Sequence, residues 1–229
     1  ATTVALTLAL TITAATAVAS DRLVADHRVD REAVIATAAA ASDDQFEVSS
    51  CDAVQAASRK LFGTDHGRRF VRDALASQPR YEPLVTDALK RHGLPPQLAA
   101  VPLIESGYVN LDPPEGESLA PPGPMGAGLW MFIPTTARTY GMRVDDEVDE
   151  RLDPVIETDA AMRLLGDLYD EFGDWGLALA GYNQGARHVR EAIAANGTDD
   201  PYALVEAGAL NHYVPLVMAA VIVMEDPSL

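Results

Sequence analysis

The strongest constraint on the fold is a succession of helical stretches, each closed by a glycine or a proline. Alanine is abundant and alternating runs of β-branched residues are scarce, a pattern that favours helices over strands. In residues 81–92, for example, apolar side chains recur at helical spacing from Leu84 to Leu89, and Gly93 then ends the helix. The sequence therefore predicts an all-α fold.

The predicted helices share this apolar spacing or a recognisable start or stop signal. They span residues 21–41, 50–62, 66–77, 81–92, 96–106, 135–140, 157–172, 175–182, 186–195 and 212–224. Residues 107–128 are instead rich in proline and glycine, and they predict a long loop of the kind that is functional or disordered. Residues 145–150 predict an acidic surface, and they lack the glycine and the terminal glutamate of an EF-hand calcium loop.

Charge and cysteine content exclude several classes of function. The chain of 229 residues has 17 Lys and Arg against 34 Asp and Glu, a formal net charge of −17. Phosphate recognition needs a basic surface, so nucleic acid is not an expected partner, and charge-driven docking on anionic lipid is excluded as well. The lone Cys51 rules out an intramolecular disulfide and a cysteine-based zinc cluster. The five histidines are scattered without the spacing of paired ligands, so no metal site is expected.

The first twenty residues carry no charge and are apolar and threonine-rich. They end in Ala17-Val18-Ala19 before Ser20, the small-x-small pattern of a signal-peptidase site. Residues 1–19 are therefore predicted to be a signal peptide or a membrane anchor, with a soluble Ala/Thr-rich helix as a third alternative. Either of the first two implies a protein of the periplasm or cell envelope, outside the cytoplasm.

Glu105 is the most informative single residue. It closes an almost wholly apolar helix predicted at 96–106, and a helix that is apolar on all sides is buried. Burial raises the pKa of a glutamate carboxyl above its ordinary value. A carboxyl that stays protonated at neutral pH can act as a general acid on a glycosidic oxygen. The alternative is structural: Glu105 caps a neighbouring helix or pairs with an arginine.

Trp130, Tyr182 and Asn183 each allow two interpretations. The two aromatic rings could stack on a sugar, or they could belong to the core, as buried aromatic residues more often do. Asn183 could be a turn residue or a polar group of a site.

Five short motifs occur in an order that resembles the soluble lytic transglycosylase family, most of all its membrane-bound murein transglycosylase D branch. They are LPPQLAAVPLIESGY at 94–108, GAGLWMFIPTTAR at 126–138, DERLDP at 149–154, FGDW at 172–175 running on to GYNQG at 181–185, and YVP at 213–215. The resemblance covers roughly residues 79–223, and it is specific because all the motifs occur together.

The resemblance implies a lysozyme-like helical domain at residues 79–225 with a glycan cleft, preceded by an N-terminal helical extension at 20–78. It implies a lyase that cleaves the β-1,4 bond between N-acetylmuramic acid and N-acetylglucosamine of peptidoglycan. Glu105 would be the sole acid/base, the product a 1,6-anhydro sugar, and no metal or organic cofactor would be needed. Substrate-binding residues implied by the same motifs are Ser106, Gly128, Trp130, Met131, Tyr182 and Asn183. Glycan strands are the implied partner, with a membrane tether through residues 1–19.

Two departures from the family's pattern bear on the site. Met131 stands where the family usually has glutamine, which removes a sugar hydrogen bond worth about 1 kcal/mol. Gly181 replaces the usual alanine, which loosens its helix by up to about 1 kcal/mol. Three functions therefore stay open: a lytic transglycosylase, a hydrolytic muramidase on the same fold, and a non-catalytic or weakly active protein that binds or scaffolds peptidoglycan.

Overall fold

The computed structural model of the protein describes residues 46, 48–113 and 126–226. The signal peptide or anchor predicted at 1–19, the helix predicted at 21–41 and most of the predicted proline-rich loop lie outside the described residues. The division into an extension at 20–78 and a domain from residue 79 stays a prediction.

Ten α-helices form the described part of the chain. They are α1 Asp52–Phe62, α2 Asp65–Ser77, α3 Glu82–His92, α4 Ala100–Ser106, α5 Pro134–Thr139, α6 Pro154–Phe172, α7 Trp175–Gln184, α8 Ala186–Asn196, α9 Pro201–Glu206 and α10 Tyr213–Glu225. Short 3₁₀ turns occupy Gln78–Arg80, Pro96–Ala99 and Glu150–Leu152. In the same described ranges, β pairing is limited to three isolated bridges. The all-α prediction is confirmed.

The helix predicted at 96–106 is two elements in the structure, a 3₁₀ turn at Pro96–Ala99 followed by α4. Pro102 explains the break, because it has no N–H to donate to the carbonyl of Leu98 and a continuous α-helix therefore cannot run through this point. Within α4 itself, Pro102 falls in the first turn, where a missing N–H costs little.

An Asp-Pro pair starts two of the helices. At the start of α6, Asp153 accepts hydrogen bonds from the N–H groups of Val155 (2.9 Å) and Ile156 (3.2 Å). Asp200 caps α9 in the same way, and α9 is a helix that the pattern of apolar residues did not reveal. Both caps satisfy N–H groups that have no partner inside the helix, and a proline follows each of them in the first turn.

α7 and α10 form the centre of the core. Most side chains of both helices are buried on all sides. α10 packs against α1, α4 and α7, while α6 packs against α3 and α7. This packing brings the end of α4 close to the start of α10. No helix within the described ranges combines the length and the apolar composition needed to cross a membrane.

Replacing Asp153 by alanine is expected to lower the free energy of unfolding by about 1 kcal/mol, because two N–H groups at the start of α6 lose their side-chain acceptor. Asp153→Asn keeps an oxygen that can accept these bonds and is expected to retain most of the stability. Urea unfolding followed by circular dichroism measures both variants. Equal losses in the two variants would mean that α6 requires the charge of Asp153 and not its cap bonds.

Candidate active site

Glu105 lies in the last turn of α4, and its side chain is half-buried. α4 ends directly afterwards because Gly107 adopts left-handed backbone (φ 62°), a conformation that glycine tolerates without strain. The Oε1 atom of Glu105 accepts a hydrogen bond of 2.6 Å from the hydroxyl of Tyr213, the first residue of α10. The central helix of the core therefore holds this carboxyl group in place.

Burial raises the pKa of the Glu105 carboxyl above its ordinary value of 4.5, and the hydrogen bond from Tyr213 lowers it by a smaller amount. None of the ion pairs within the described ranges involves Glu105. The described residues therefore do not show the structural alternative in which an arginine pairs with Glu105. A carboxyl group in this state retains a proton closer to neutral pH than an exposed one does.

Glu105 opens into a groove of about 510 Å³, which we call the first groove. Its walls come from the ends of α4 and α7, from α5, α6 and the start of α8, and from the segment before α5. The lining residues are Glu105, Met131, Phe132, Ile133, Thr136, Tyr140, Leu164, Asp167, Leu168, Glu171, Gly181, Tyr182, Asn183, Gln184, Gly185 and Ala186.

The segment before α5 is a tight turn, which we call the 126–132 turn. Its ends are joined by a bridge in which the N–H of Ala127 donates to the carbonyl of Phe132 at 3.1 Å. Gly128 has left-handed backbone (φ 87°), and a Cβ atom there would lie 2.2 Å from the carbonyl oxygen of Arg151. Met131 also has left-handed backbone (φ 56°), and its half-buried side chain lines the first groove. Only glycine fits at position 128, so its role is to let the turn pack closely.

Glu157, near the start of α6, anchors this turn from below. Its fully buried carboxyl group accepts hydrogen bonds from the N–H groups of Leu129 (2.7 Å) and Trp130 (3.0 Å), and from that of Phe132 as well. Burial raises the pKa of Glu157 to about 8 and outweighs these bonds and the nearby charge of Arg151, all of which lower it. The backbone of the turn thus supplies the partners that a buried carboxyl group requires.

Two carbonyl groups of the same turn accept hydrogen bonds from side chains next to the first groove, Ser106 of α4 and Tyr182 of α7. The one hydroxyl proton of Ser106 is shared between the carbonyl of Leu129, at 2.8 Å, and the carbonyl of Pro102 in α4, at 3.1 Å. The hydroxyl of Tyr182 donates to the carbonyl of Trp130 at 2.5 Å. Ser106 follows Glu105 directly, so the turn, α4 and α7 are tied together next to the half-buried carboxyl group.

Trp130 is where the sequence-based assignment to substrate binding needs correction. Its side chain is fully buried, and the indole Nε1 donates to the hydroxyl of Thr158 at 2.9 Å. A ring without exposed surface cannot stack on a sugar, so the core interpretation is the right one for this indole. What Trp130 offers to the site is its carbonyl oxygen, which positions Tyr182.

Asn183 and Tyr182 both line the first groove. Asn183 is exposed, and its Oδ1 atom accepts a hydrogen bond of 2.8 Å from the Nδ2 atom of Asn211. Glu105, Met131, Tyr182 and Asn183 therefore share one groove, whereas Ser106, Gly128 and Trp130 support its walls.

Two residues of the site escaped the sequence analysis. Glu157 resembles an ordinary acid in the first turn of a helix, where the helix dipole favours it, and it is nonetheless a second carboxyl group bonded to Trp130. Tyr213 appeared only as part of a closing motif, and nothing in its local sequence indicates a partner 108 positions earlier in the chain. Within residues 46, 48–113 and 126–226, no group of three metal-ligating side chains comes together.

The buried carboxyl group of Glu157 makes the stability of the fold depend on pH. Because its pKa of about 8 lies above the ordinary 4.5, the folded state keeps a proton that the unfolded state has lost. This contribution is complete below pH 4.5 and is lost as the pH rises through 8. The unfolding free energy of the wild type should fall between those two pH values, with a slope that approaches about 1.4 kcal/mol per pH unit. Glu157→Gln is expected to lack this fall, because an amide does not titrate.

Urea unfolding of the wild type and of Glu157→Gln across this pH range measures the effect. Glu206→Gln, which changes an exposed glutamate at the end of α9, is the matched control and should follow the wild type. Parallel pH profiles for the wild type and Glu157→Gln would contradict the prediction.

Comparison of the sequence with known proteins identifies the family of this chain. The transglycosylase SLT domain matches residues 83–205, which is more than half of the chain. Two proteins named membrane-bound lytic murein transglycosylase D, from Escherichia coli strains K12 and CFT073, are each 31% identical over 157 residues, covering 66% of this chain and 33% of theirs. A protein from Alteromonas sp. (strain M-1), whose name refers to tributyltin chloride resistance, is 31% identical over 134 residues, covering 56% of this chain and 60% of its own. This chain thus spans about a third of the length of the Escherichia coli relatives, and it belongs to the transglycosylase SLT domain family.

Proposed function

We propose that this protein is a lytic transglycosylase that acts on peptidoglycan outside the cytoplasm. It would cleave the β-1,4 bond between N-acetylmuramic acid and N-acetylglucosamine and leave a 1,6-anhydromuramoyl end. The observation that carries the proposal is the half-buried Glu105 carboxyl group, held by Tyr213 and open to the first groove. The names of the Escherichia coli relatives, which refer to murein, support the choice of substrate.

Glu105 acts first as the acid and then as the base. The protonated carboxyl group gives its proton to the glycosidic oxygen while the bond from that oxygen to the anomeric carbon breaks, and the substrate's own acetamido oxygen bonds to that carbon. Glu105 then takes the proton of the muramoyl 6-hydroxyl. The oxygen of that hydroxyl bonds to the anomeric carbon, and the acetamido oxygen leaves it. Each proton given is recovered, and water is not consumed. Tyr213 binds Oε1, which leaves Oε2 as the atom for both transfers.

A single acid/base agrees with the state of the other carboxyl groups nearby. Asp167 and Glu171 also line the first groove, but Asp167 accepts a hydrogen bond from the hydroxyl of Tyr140, and Glu171 is paired with Arg190. Glu157 has no exposed surface. A mechanism with two carboxyl groups, as most glycosidases use, would have to take its second one from Asp167 or Glu171, whereas the proposed mechanism needs Glu105 alone.

Met131, Tyr182 and Asn183 are the groups that we expect to contact the glycan, since they line the first groove with Glu105. The environment of the substrate implies an exported protein, and the predicted signal peptide or membrane tether at residues 1–19 is consistent with export. The chemistry uses only groups of the chain and the substrate, so no cofactor is expected.

Glu105→Gln is expected to abolish the release of anhydro-muropeptides, because an amide cannot supply or recover the proton. Mass spectrometry of the products from purified sacculi measures the release, and it separates the anhydro product from a hydrolytic one by the mass of one water. Glu206→Gln, far along the chain on α9, is the control for a lost carboxylate and should remain active. Activity that survives in Glu105→Gln would refute the assignment, and products that carry the extra water would identify a muramidase.

Met131→Gln tests whether the departure from the family's usual glutamine weakens sugar binding. The amide would add about one hydrogen bond, and we expect glycan strands to bind about fivefold tighter. Equilibrium binding of stem-free glycan strands measures the change. An unchanged affinity would mean that position 131 contacts no polar group of the sugar.

A further inference from the structure

A second groove is lined by Tyr213, the residue that holds Glu105. It has a volume of about 570 Å³, and it is formed by one face of α1, the start of α10 and the residues just before α10. The lining residues are Ala56, Ala57, Lys60, Asn183, Asn211, His212, Tyr213 and Leu216.

The two grooves meet at the candidate catalytic group. Asn183 lines both of them, and the hydroxyl of Tyr213, which lines the second groove, donates to Glu105 in the first. Asn211 reinforces the border, because its Nδ2 atom donates to Asn183 and its N–H donates to the Oε1 atom of Gln184. The two grooves are therefore neighbours, and Asn183 with Asn211 forms the border between them.

The grooves differ in charge. The side chains that line the first groove include three carboxyl groups, Glu105, Asp167 and Glu171, and no lysine, arginine or histidine. The second groove is lined by the exposed Lys60 and by His212 and by no carboxyl group. In a chain with a net charge of −17, a groove that is lined by a lysine and by no carboxyl group favours an anionic ligand.

Peptidoglycan carries its anionic groups on the peptide stems, whereas its N-acetylated sugars are neutral along the strand. We propose that the second groove holds the peptide stem of a saccharide next to the scissile bond, with Lys60 paired to a stem carboxylate. The inference rests on the proposed function for its choice of ligand. It adds a contact from α1, which lies outside residues 83–205 that match the family.

Within residues 46, 48–113 and 126–226, Lys60 forms no ion pair, so its ammonium group is available to a ligand. An exposed pair of this kind is modest and is weakened by salt. We therefore expect Lys60 to change the affinity for stem-bearing strands by about two- to fivefold at low ionic strength. The apolar side chains of Ala56 and Leu216 line the same groove and could contact the aliphatic part of the stem.

Equilibrium binding of two kinds of glycan strand tests the proposal. One kind has intact peptide stems, and from the other an amidase has removed the stems and the lactyl carboxylates left behind have been converted to neutral amides. Glu105→Gln serves as the background because it is expected to leave the strands uncut. Adding Lys60→Gln should weaken binding of stem-bearing strands about two- to fivefold at low salt and leave stem-free strands unchanged. The difference should disappear as the salt concentration rises.

Arg59→Gln is the matched control, because Arg59 is the adjacent exposed cation of α1 and does not line the second groove. An equal loss in Arg59→Gln, an equal loss for both kinds of strand, or no loss at all would overturn the proposal. This readout is separate from turnover: an inactive wild type would contradict the proposed function, while the binding comparison would still decide the role of Lys60.

Discussion

The arrangement of the site depends on one buried carboxyl group that is itself outside the groove. Glu157 binds the N–H groups of Leu129 and Trp130, and the carbonyl groups of the same two residues bind Ser106 and Tyr182. The 126–132 turn is thereby fixed on both sides by hydrogen bonds. An unpaired carboxyl group would be costly at this depth, so the turn and Glu157 each satisfy the other.

Glu105 and Glu157 show why access to solvent, and not a raised pKa, distinguishes the candidate catalytic group. Burial raises the pKa of both carboxyl groups. Glu157 is surrounded by backbone donors and has no exposed surface, which is the environment of a structural group. Among the described residues, Glu105 has one side-chain partner, Tyr213, and it lines a groove, so a substrate can reach it. Perturbed carboxyl groups mark active sites only when they are also accessible.

Local patterns in the sequence predicted what local forces decide. The helices follow from apolar spacing and from start and stop residues, and Glu105 was conspicuous as the polar end of an apolar helix. Two residues whose roles the sequence did not reveal depend on contacts between distant parts of the chain. The indole of Trp130 is buried in the core and donates its hydrogen bond to Thr158. Glu157 supports the site because a turn almost thirty residues earlier in the chain donates hydrogen bonds to it. Spacing along one helix contains no information about such partners.

α1, which precedes the residues that match the family, is connected to the candidate site through packing. α1 packs against α10, and the first residue of α10 is Tyr213, which holds Glu105. A change in the buried face of α1, at Val54 or Leu61, would therefore be transmitted through a close-packed core to the hydroxyl that orients the carboxyl group. Because interiors transmit strain rather than absorb it, α1 and the residues that hold Glu105 at the first groove are mechanically coupled.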